Sequence, residues 1–164
     1  MPDGLAPRAA SLWRIRGRDT DTRVEYLGFC LGEDRYALAV DRTGEILRIP
    51  PMTRVPRSSD VVMGIVGVRG RVLTVLDVRA RLGLPTPAPT RHARIVVVPW
   101  SENESVGLYV DRVVQVYRMT AAEIESAAAG LGRNAGDHVM GIARVDGHLI
   151  VVLRLEPFLA LMGT

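Results

Sequence analysis

Short apolar or alternating runs rich in Val, Ile and Leu recur from position 24 onward, and turn residues separate them. This pattern is typical of an all-β domain, because aliphatic and β-branched residues at period two line one face of a strand. It predicts about ten strands. They are expected over 24–31, 36–40, 44–49, 61–68, 71–78, 94–99, 106–110, 113–117, 139–145 and 148–153.

Helical segments are few and short. The sequence predicts one helical turn over 78–82, a capping box from Thr120 to Glu123, and a short C-terminal helix over 155–162. The proline-rich segment 85–90 cannot join a sheet because its prolines lack N–H donors, so it is interpreted as a linker. Residues 1–23 are rich in Arg, Asp, Gly and Pro and are interpreted as a flexible N-terminal tail.

The two sides of this linker repeat each other. Residues 37–42 match 107–112 at a shift of 70 positions, and 64–76 match 141–153 at a shift of 77. Two matches in the same order, including turn glycines, predict two similar halves over 24–84 and 94–160. Each half would hold about five strands, and a sheet that small protects its edges best by closing into a barrel.

One turn differs between the two copies. Asp146-Gly147 has the composition of a type I′ hairpin turn, whose two central residues require positive φ. The equivalent pair is Arg69-Gly70, and arginine has no special preference for that position. Such a local violation marks a candidate functional residue, whose guanidinium could fork onto a carboxylate. The alternative is a plain solvated arginine.

Composition limits the compartment and the class of protein. The chain has 164 residues, a net charge of +3 and a single cysteine, Cys30, within an apolar run. No internal disulfide can form, and a buried cysteine is typical of a reducing compartment. No apolar stretch reaches the length of a membrane span, and charges fill the N-terminal region where a signal peptide would be apolar. We therefore expect a cytoplasmic protein without direct membrane insertion.

The sequence offers little for catalysis or cofactors. His92, His138 and His148 lack metal-binding spacing, and no nucleophile-base pair stands out, so neither a metal, a cofactor nor an enzymatic activity is expected. The alternative function is a small β-barrel that binds nucleic acid, which the sequence pI of about 9.6 would suit. Basic residues are dispersed and aromatics make up only 5%, so no nucleic-acid partner is expected.

Several segments together resemble a known family. They are 29–38, the pair Glu45-Ile46, 64–70, 75–79, 106–113, Met119-Thr120 and 140–142. In this order they resemble the CheW-type coupling proteins of bacterial chemotaxis, over about residues 24–160. The resemblance implies a single CheW-like domain made of two five-stranded, SH3-like β-barrels over a shared core, which agrees with the internal repeat.

The resemblance also implies a function without catalysis. Members of this family are adaptors that couple the cytoplasmic tip of chemoreceptors to the regulatory domain of the histidine kinase CheA. It further implies ring-like assembly and a location at receptor arrays on the inner membrane.

The family's partner-binding positions fall on named residues of this chain. By similarity, Glu45 and Arg69 match an acidic and an arginine position that pair near the partner surface. Val113 and Val116 match apolar contact positions of the second barrel. Gly64 and Gly70 would let the backbone turn or approach closely, with ordinary turn glycines as the alternative. Among the same candidate partner-binding residues, Asp77 and Arg79 would share one strand face, where we favour a structural pair over partner contact.

Overall fold

The computed structural model describes residues 22–39, 45–56, 58–126 and 137–160. Most of these residues lie in twelve strands: β1 Val24–Leu31, β2 Asp34–Ala39, β3 Ile46–Arg48, β4 Met52–Thr53, β5 Val62–Val68, β6 Arg71–Asp77, β7 Arg94–Pro99, β8 Ser105–Val110, β9 Arg112–Met119, β10 Ile124–Ser126, β11 Val139–Val145 and β12 His148–Leu153. Two short α-helices follow β6 and β12: α1 Val78–Arg81 and α2 Glu156–Leu159. A 3-10 turn covers Ala121–Glu123.

The predicted all-β class is confirmed, and each predicted strand segment overlaps an observed strand. β4 and β10 were not predicted, since two or three residues are too few to show a period. The predicted capping box is present, because the Glu123 side chain accepts from the Thr120 backbone N–H at 2.8 Å. Most of the predicted N-terminal tail, residues 1–21, lies outside the described residues.

The described strands form two sheets of six. The first has the order β10-β11-β12-β2-β1-β9, and the second has the order β4-β5-β6-β8-β7-β3. Written this way, the two orders correspond strand by strand at a shift of six strands. Both contain one parallel pair, β12 with β2 and β6 with β8, and all other pairs are antiparallel. The repeat seen in the sequence is therefore a repeat of pairing pattern as well.

The sheets do not follow the predicted halves. β1 and β2 come from the first half, yet they pair with β9 and β12 of the second half. β7 and β8 come from the second half and pair with β3 and β6 of the first. The first hairpin of each repeat therefore lies in the sheet that the other repeat's remaining strands form. The two similar halves over 24–84 and 94–160 therefore do not each hold one whole sheet, because sequence matching identifies equivalent strands but not their pairing partners.

Three clusters of buried side chains hold this arrangement together. One lies within each sheet, around Ile150 in the first and Ile95 in the second. The third joins both sheets and includes Phe29, Leu76 and Phe158, each exposed by 1% or less. Burying one large aliphatic or aromatic side chain contributes roughly 1.5–3 kcal/mol. The shared cluster therefore makes the two sheets parts of one folding unit.

The proline segment is fastened to the end of β6. Asp77 caps α1, because its carboxylate accepts from the Arg79 backbone N–H at 3.0 Å. The same carboxylate accepts from the Thr86 hydroxyl, and the Pro85 carbonyl accepts from the Arg79 guanidinium at 2.8 Å. The predicted linker is therefore outside both sheets, as expected, but it is bound to them.

No helix in the described ranges is both long and apolar enough to cross a membrane. Within the same ranges, no group of three His, Cys, Asp or Glu side chains is arranged to hold a metal ion.

Candidate partner-binding surface

The β5-β6 hairpin turns at Arg69-Gly70, and the β11-β12 hairpin turns at Asp146-Gly147. All four residues have positive φ: 49° and 80° in the first turn, 51° and 82° in the second. The predicted type I′ turn is therefore present in both copies. Arg69 and Asp146 are the non-glycine residues with positive φ in the described chain, so Arg69 occupies a conformation that an arginine rarely adopts.

The Arg69 side chain binds Glu45 through two hydrogen bonds. Arg69 Nη1 donates to Glu45 Oε2 at 3.2 Å, and Nη2 donates to Oε1. The hydrogen bond from Arg69 lowers the pKa of the Glu45 carboxyl below its ordinary value. Arg69 remains 70% exposed and Glu45 41% exposed. The forked pair predicted for Arg69 thus exists, and it faces solvent.

A groove of about 520 Å³ lies beside this ion pair. Glu45 and Arg69 form part of its wall, together with β6 residues such as Val72 and the loop that carries Trp100. Val72 is 72% exposed, the largest exposure among the exposed large apolar residues that the structure describes. A groove lined by both apolar and polar side chains, with a charged pair in its wall, suits a protein partner, because the apolar contacts give area and the charges fix orientation.

Exposed aliphatic residues occur at equivalent positions of the two sheets. Val72 on β6 corresponds to Leu149 on β12, and their exposures are 72% and 56%. Ile46 on β3 corresponds to Val116 on β9, and their exposures are 45% and 47%. Single exposed aliphatics are ordinary on protein surfaces. Their recurrence at both repeat shifts gives the two sheets similar apolar surfaces.

Val113 and Val116 differ in burial although both belong to β9. Val116 is exposed and lies opposite Leu27, whereas Val113 is half-buried and packs against the shared core.

Gly64 is buried in the middle of β5, where a Cβ would approach the Thr53 carbonyl oxygen to 2.6 Å. Gly64 therefore permits close approach of β4, and Gly70 permits the turn.

Asp77 and Arg79 do not form the side-chain pair that their spacing suggested. The Arg79 guanidinium instead binds Asp111, with Nη2 at 2.6 Å from Oδ2 and Nε at 3.1 Å from Oδ1. Asp111 also accepts the Gly32 backbone N–H at 2.6 Å. Burial raises the pKa of Asp111, but the hydrogen bonds from Arg79 and Gly32 outweigh it and leave the pKa below its ordinary value. Both ionic side chains are mostly buried, which suits a structural role.

The eight predicted site residues thus fall in three places. Glu45, Arg69 and Gly70 are together at one end of the second sheet, with Gly64 farther along β5. Val113 and Val116 are on β9, in the other sheet. Asp77 and Arg79 are at the end of β6. The sequence did not identify Asp111 as the partner of Arg79. The only signal was that Asp111 is equivalent to Asp41 in the internal repeat, so both copies carry an aspartate at this position.

Comparison with known proteins gives a consistent result. The sequence profile of the CheW-like domain matches residues 25–161. The chain is 30% identical over 132 residues to the chemotaxis protein CheW of Bacillus subtilis (strain 168), covering 80% of this chain and 84% of that protein. It is 28% identical over 124 residues to Protein FrzA of Myxococcus xanthus, covering 76% of each. The crystal structure of the scaffolding protein TtCheW from Thermoanaerobacter tengcongensis matches with a TM-score of 0.72 and 25% identity, covering 82% of this chain and 90% of that one.

Proposed function

The chain belongs to the CheW-like domain family, and we propose that it is a chemotaxis adaptor that couples chemoreceptors to the histidine kinase CheA without catalysing a reaction. Its partners in this proposal are the cytoplasmic tip of a chemoreceptor and the regulatory domain of the kinase. It would act in the cytoplasm at receptor arrays, where ring-like assembly with the kinase would follow from two similar binding surfaces.

The observation that carries this proposal is the exposed Glu45–Arg69 pair beside the groove. An adaptor binds reversibly, which favours exposed aliphatic side chains on rigid strands with a few charges that fix register. The arginine is held in an unfavourable backbone conformation at a turn tip, where it contributes nothing to the described core clusters. Strain at an exposed position is typical of a functional residue.

Charge reversal at Arg69 tests the proposal. Arg69→Glu places two carboxylates side by side, so we expect weaker recruitment of kinase to receptor membranes in co-sedimentation, by about tenfold. Arg118→Glu is the matched control, because Arg118 is equally exposed at 70% and faces Glu25 on the other sheet. The double exchange Glu45→Arg with Arg69→Glu restores the ion pair and separates loss of the pair from loss of the partner contact.

Two outcomes of the recruitment experiment decide the proposal. Recruitment that falls for Arg69→Glu but not for Arg118→Glu, with unchanged thermal melting, supports the proposal. Unchanged recruitment and kinase control in the Arg69 variant would contradict it. The nucleic-acid alternative has no support in the surface described here, and salt-dependent binding to single-stranded DNA would be needed to revive it.

A further inference from the structure

A second cavity, of about 660 Å³, opens on the flank of the second sheet, away from the Glu45–Arg69 groove. It is bounded by β4, the start of β5, α1 and the proline segment, and none of the predicted site residues except Asp77 lines it. Small-molecule sites have volumes of roughly 300–1,000 Å³ and combine apolar walls with a few polar groups. This cavity has both features.

The lining of this cavity combines apolar side chains with several polar ones. Met52, Met63, Pro87 and Pro89 are among the walls. Methionine thioethers adapt to ligands of irregular shape and favour contact with aromatic rings. The lining also carries one positive side chain, Arg54, and one negative side chain, Asp60, whose charges cancel. The carboxylate of Asp77 therefore leaves the lining with a net negative charge.

Asp77 is a buried carboxylate whose hydrogen-bond donors are neutral. Its exposure is 5%, and it accepts from the Arg79 backbone N–H and from the Thr86 hydroxyl. The Arg79 guanidinium is bound to Asp111, and no ion pair of Asp77 is present in the described part of the chain. Each carboxylate oxygen retains a second acceptor site. A buried charge without a paired cation favours one that a ligand supplies.

Tyr109 lines the same cavity and is 3% exposed. Its hydroxyl has no hydrogen-bond partner among the described residues, and the oxygen is not one of the fully buried atoms, so it is open to solvent in the cavity. Burial raises the pKa of this phenol, and the nearby carboxylates of Asp111 and Asp77 raise it further, so the hydroxyl stays neutral. A hydroxyl that is accessible in the cavity and has no protein partner can bond a polar atom of a ligand.

The other repeat lacks both polar groups. The position equivalent to Asp77 is Arg154, and the position equivalent to Tyr109 is Ala39. Met63 corresponds to Met140, so part of the apolar lining recurs while Asp77 and Tyr109 do not. The equivalent sheet forms without these two residues, so the fold itself does not require an aspartate and a tyrosine at these positions.

We propose that this cavity binds a small organic cation, whose amidinium or ammonium group pairs with Asp77 and whose apolar body packs between the methionine and proline walls. The Tyr109 hydroxyl bonds a polar atom of the ligand, and the ring face adds cation-π attraction. The site is independent of the proposed adaptor function, because it lies on a different part of the second sheet from the Glu45–Arg69 pair.

Benzamidine is a suitable probe, with benzamide as its neutral counterpart of the same shape. The full chain is titrated with each compound, and amide shifts are followed by NMR. We expect saturable benzamidine binding with a dissociation constant on the order of 1 mM, and shifts confined to residues around the cavity. Benzamide should bind about tenfold more weakly because it lacks the charge.

Asp77→Asn keeps a side-chain oxygen to cap α1 and removes the charge, so it should weaken benzamidine binding about tenfold. Asp146→Asn is the matched control, because it removes an exposed charge from a turn that asparagine also fits. Tyr109→Phe gives a second variant, with a smaller loss expected. Equal affinity for benzamidine and benzamide, equal affinity of the wild type and Asp77→Asn, absence of saturable shifts, or shifts at another surface would each overturn the proposal.

Discussion

The Arg79 guanidinium connects three separate parts of the chain. It binds Asp111 after β8 and the Pro85 carbonyl, while Asp111 also holds the Gly32 N–H of the β1-β2 turn. The side chains of Arg79 and Asp111 are 11% and 24% exposed. Removing one partner would leave the other partly buried and unpaired, which is more damaging than losing an exposed ion pair.

Asp111→Asn should therefore lower the free energy of unfolding by about 2 kcal/mol, measured by urea denaturation. Glu25→Gln is the control, because Glu25 and Arg118 form an exposed pair at 3.7 Å that should contribute less than about 1 kcal/mol. Equal effects of the two substitutions would show that the Arg79–Asp111 pair is no more important than a surface contact.

His138 makes stability depend on pH. Burial lowers its pKa, and the neighbouring Arg81 guanidinium lowers it further, while Asp137 opposes the shift. Its ring packs against Phe158 at 5.3 Å, and its Nε2 atom is buried without a partner in the described structure. The folded state thus holds the neutral ring, and the unfolded state binds a proton more readily.

A histidine whose folded pKa is depressed contributes stability that is present above its unfolded pKa of about 6.5. We expect the melting temperature to fall as the pH drops below this value, until the folded pKa is passed. His138→Gln should reduce this dependence, whereas His92→Gln, at an exposed position, should leave it unchanged. A pH profile that is the same for wild type and His138→Gln would refute the assignment.

At the scale of elements, substitutions in the β5-β6 turn can distinguish a residue that the fold needs from one that partner binding needs. Gly70 has φ of 80°, so Gly70→Ala should destabilise the protein by about 1 kcal/mol. Arg69→Asn places a residue that favours the type I′ turn, so thermal melting should show equal or higher stability despite loss of the Glu45 pair. Marked destabilisation by Arg69→Asn would mean that the ion pair serves the fold.

The strands show how far sequence reasoning could go. The type I′ turn, the capping box and the segments that form β1, β5, β11 and β12 follow from local rules, so the sequence predicts them. The exchange of hairpins does not follow, because β2 and β8 look the same whichever copy they pair with. The Arg79–Asp111 pair joins residues 32 positions apart, and local spacing suggested Asp77 instead.

At the scale of the whole molecule, the exchanged hairpins and the shared cluster make the two sheets interdependent. Fragments 1–90 and 91–164 should each be unfolded when expressed alone, because each lacks the hairpin that completes its sheet. Co-expression should restore a folded complex, and the intact chain should unfold in one transition. A single fragment with a cooperative thermal melt would contradict this prediction.

The exchange also constrains how such a chain could have originated. A single ancestral copy would have held its first hairpin away from its own sheet, so it could complete a sheet only by trading hairpins with an identical subunit. Tandem duplication would then have joined the two subunits into one polypeptide. Such a fusion would also have allowed the copies to diverge, so that one turn carries Arg69 and the equivalent turn carries Asp146. In this view, the chain resembles a dimer of two different subunits joined in one polypeptide, and each sheet could evolve its own binding surface.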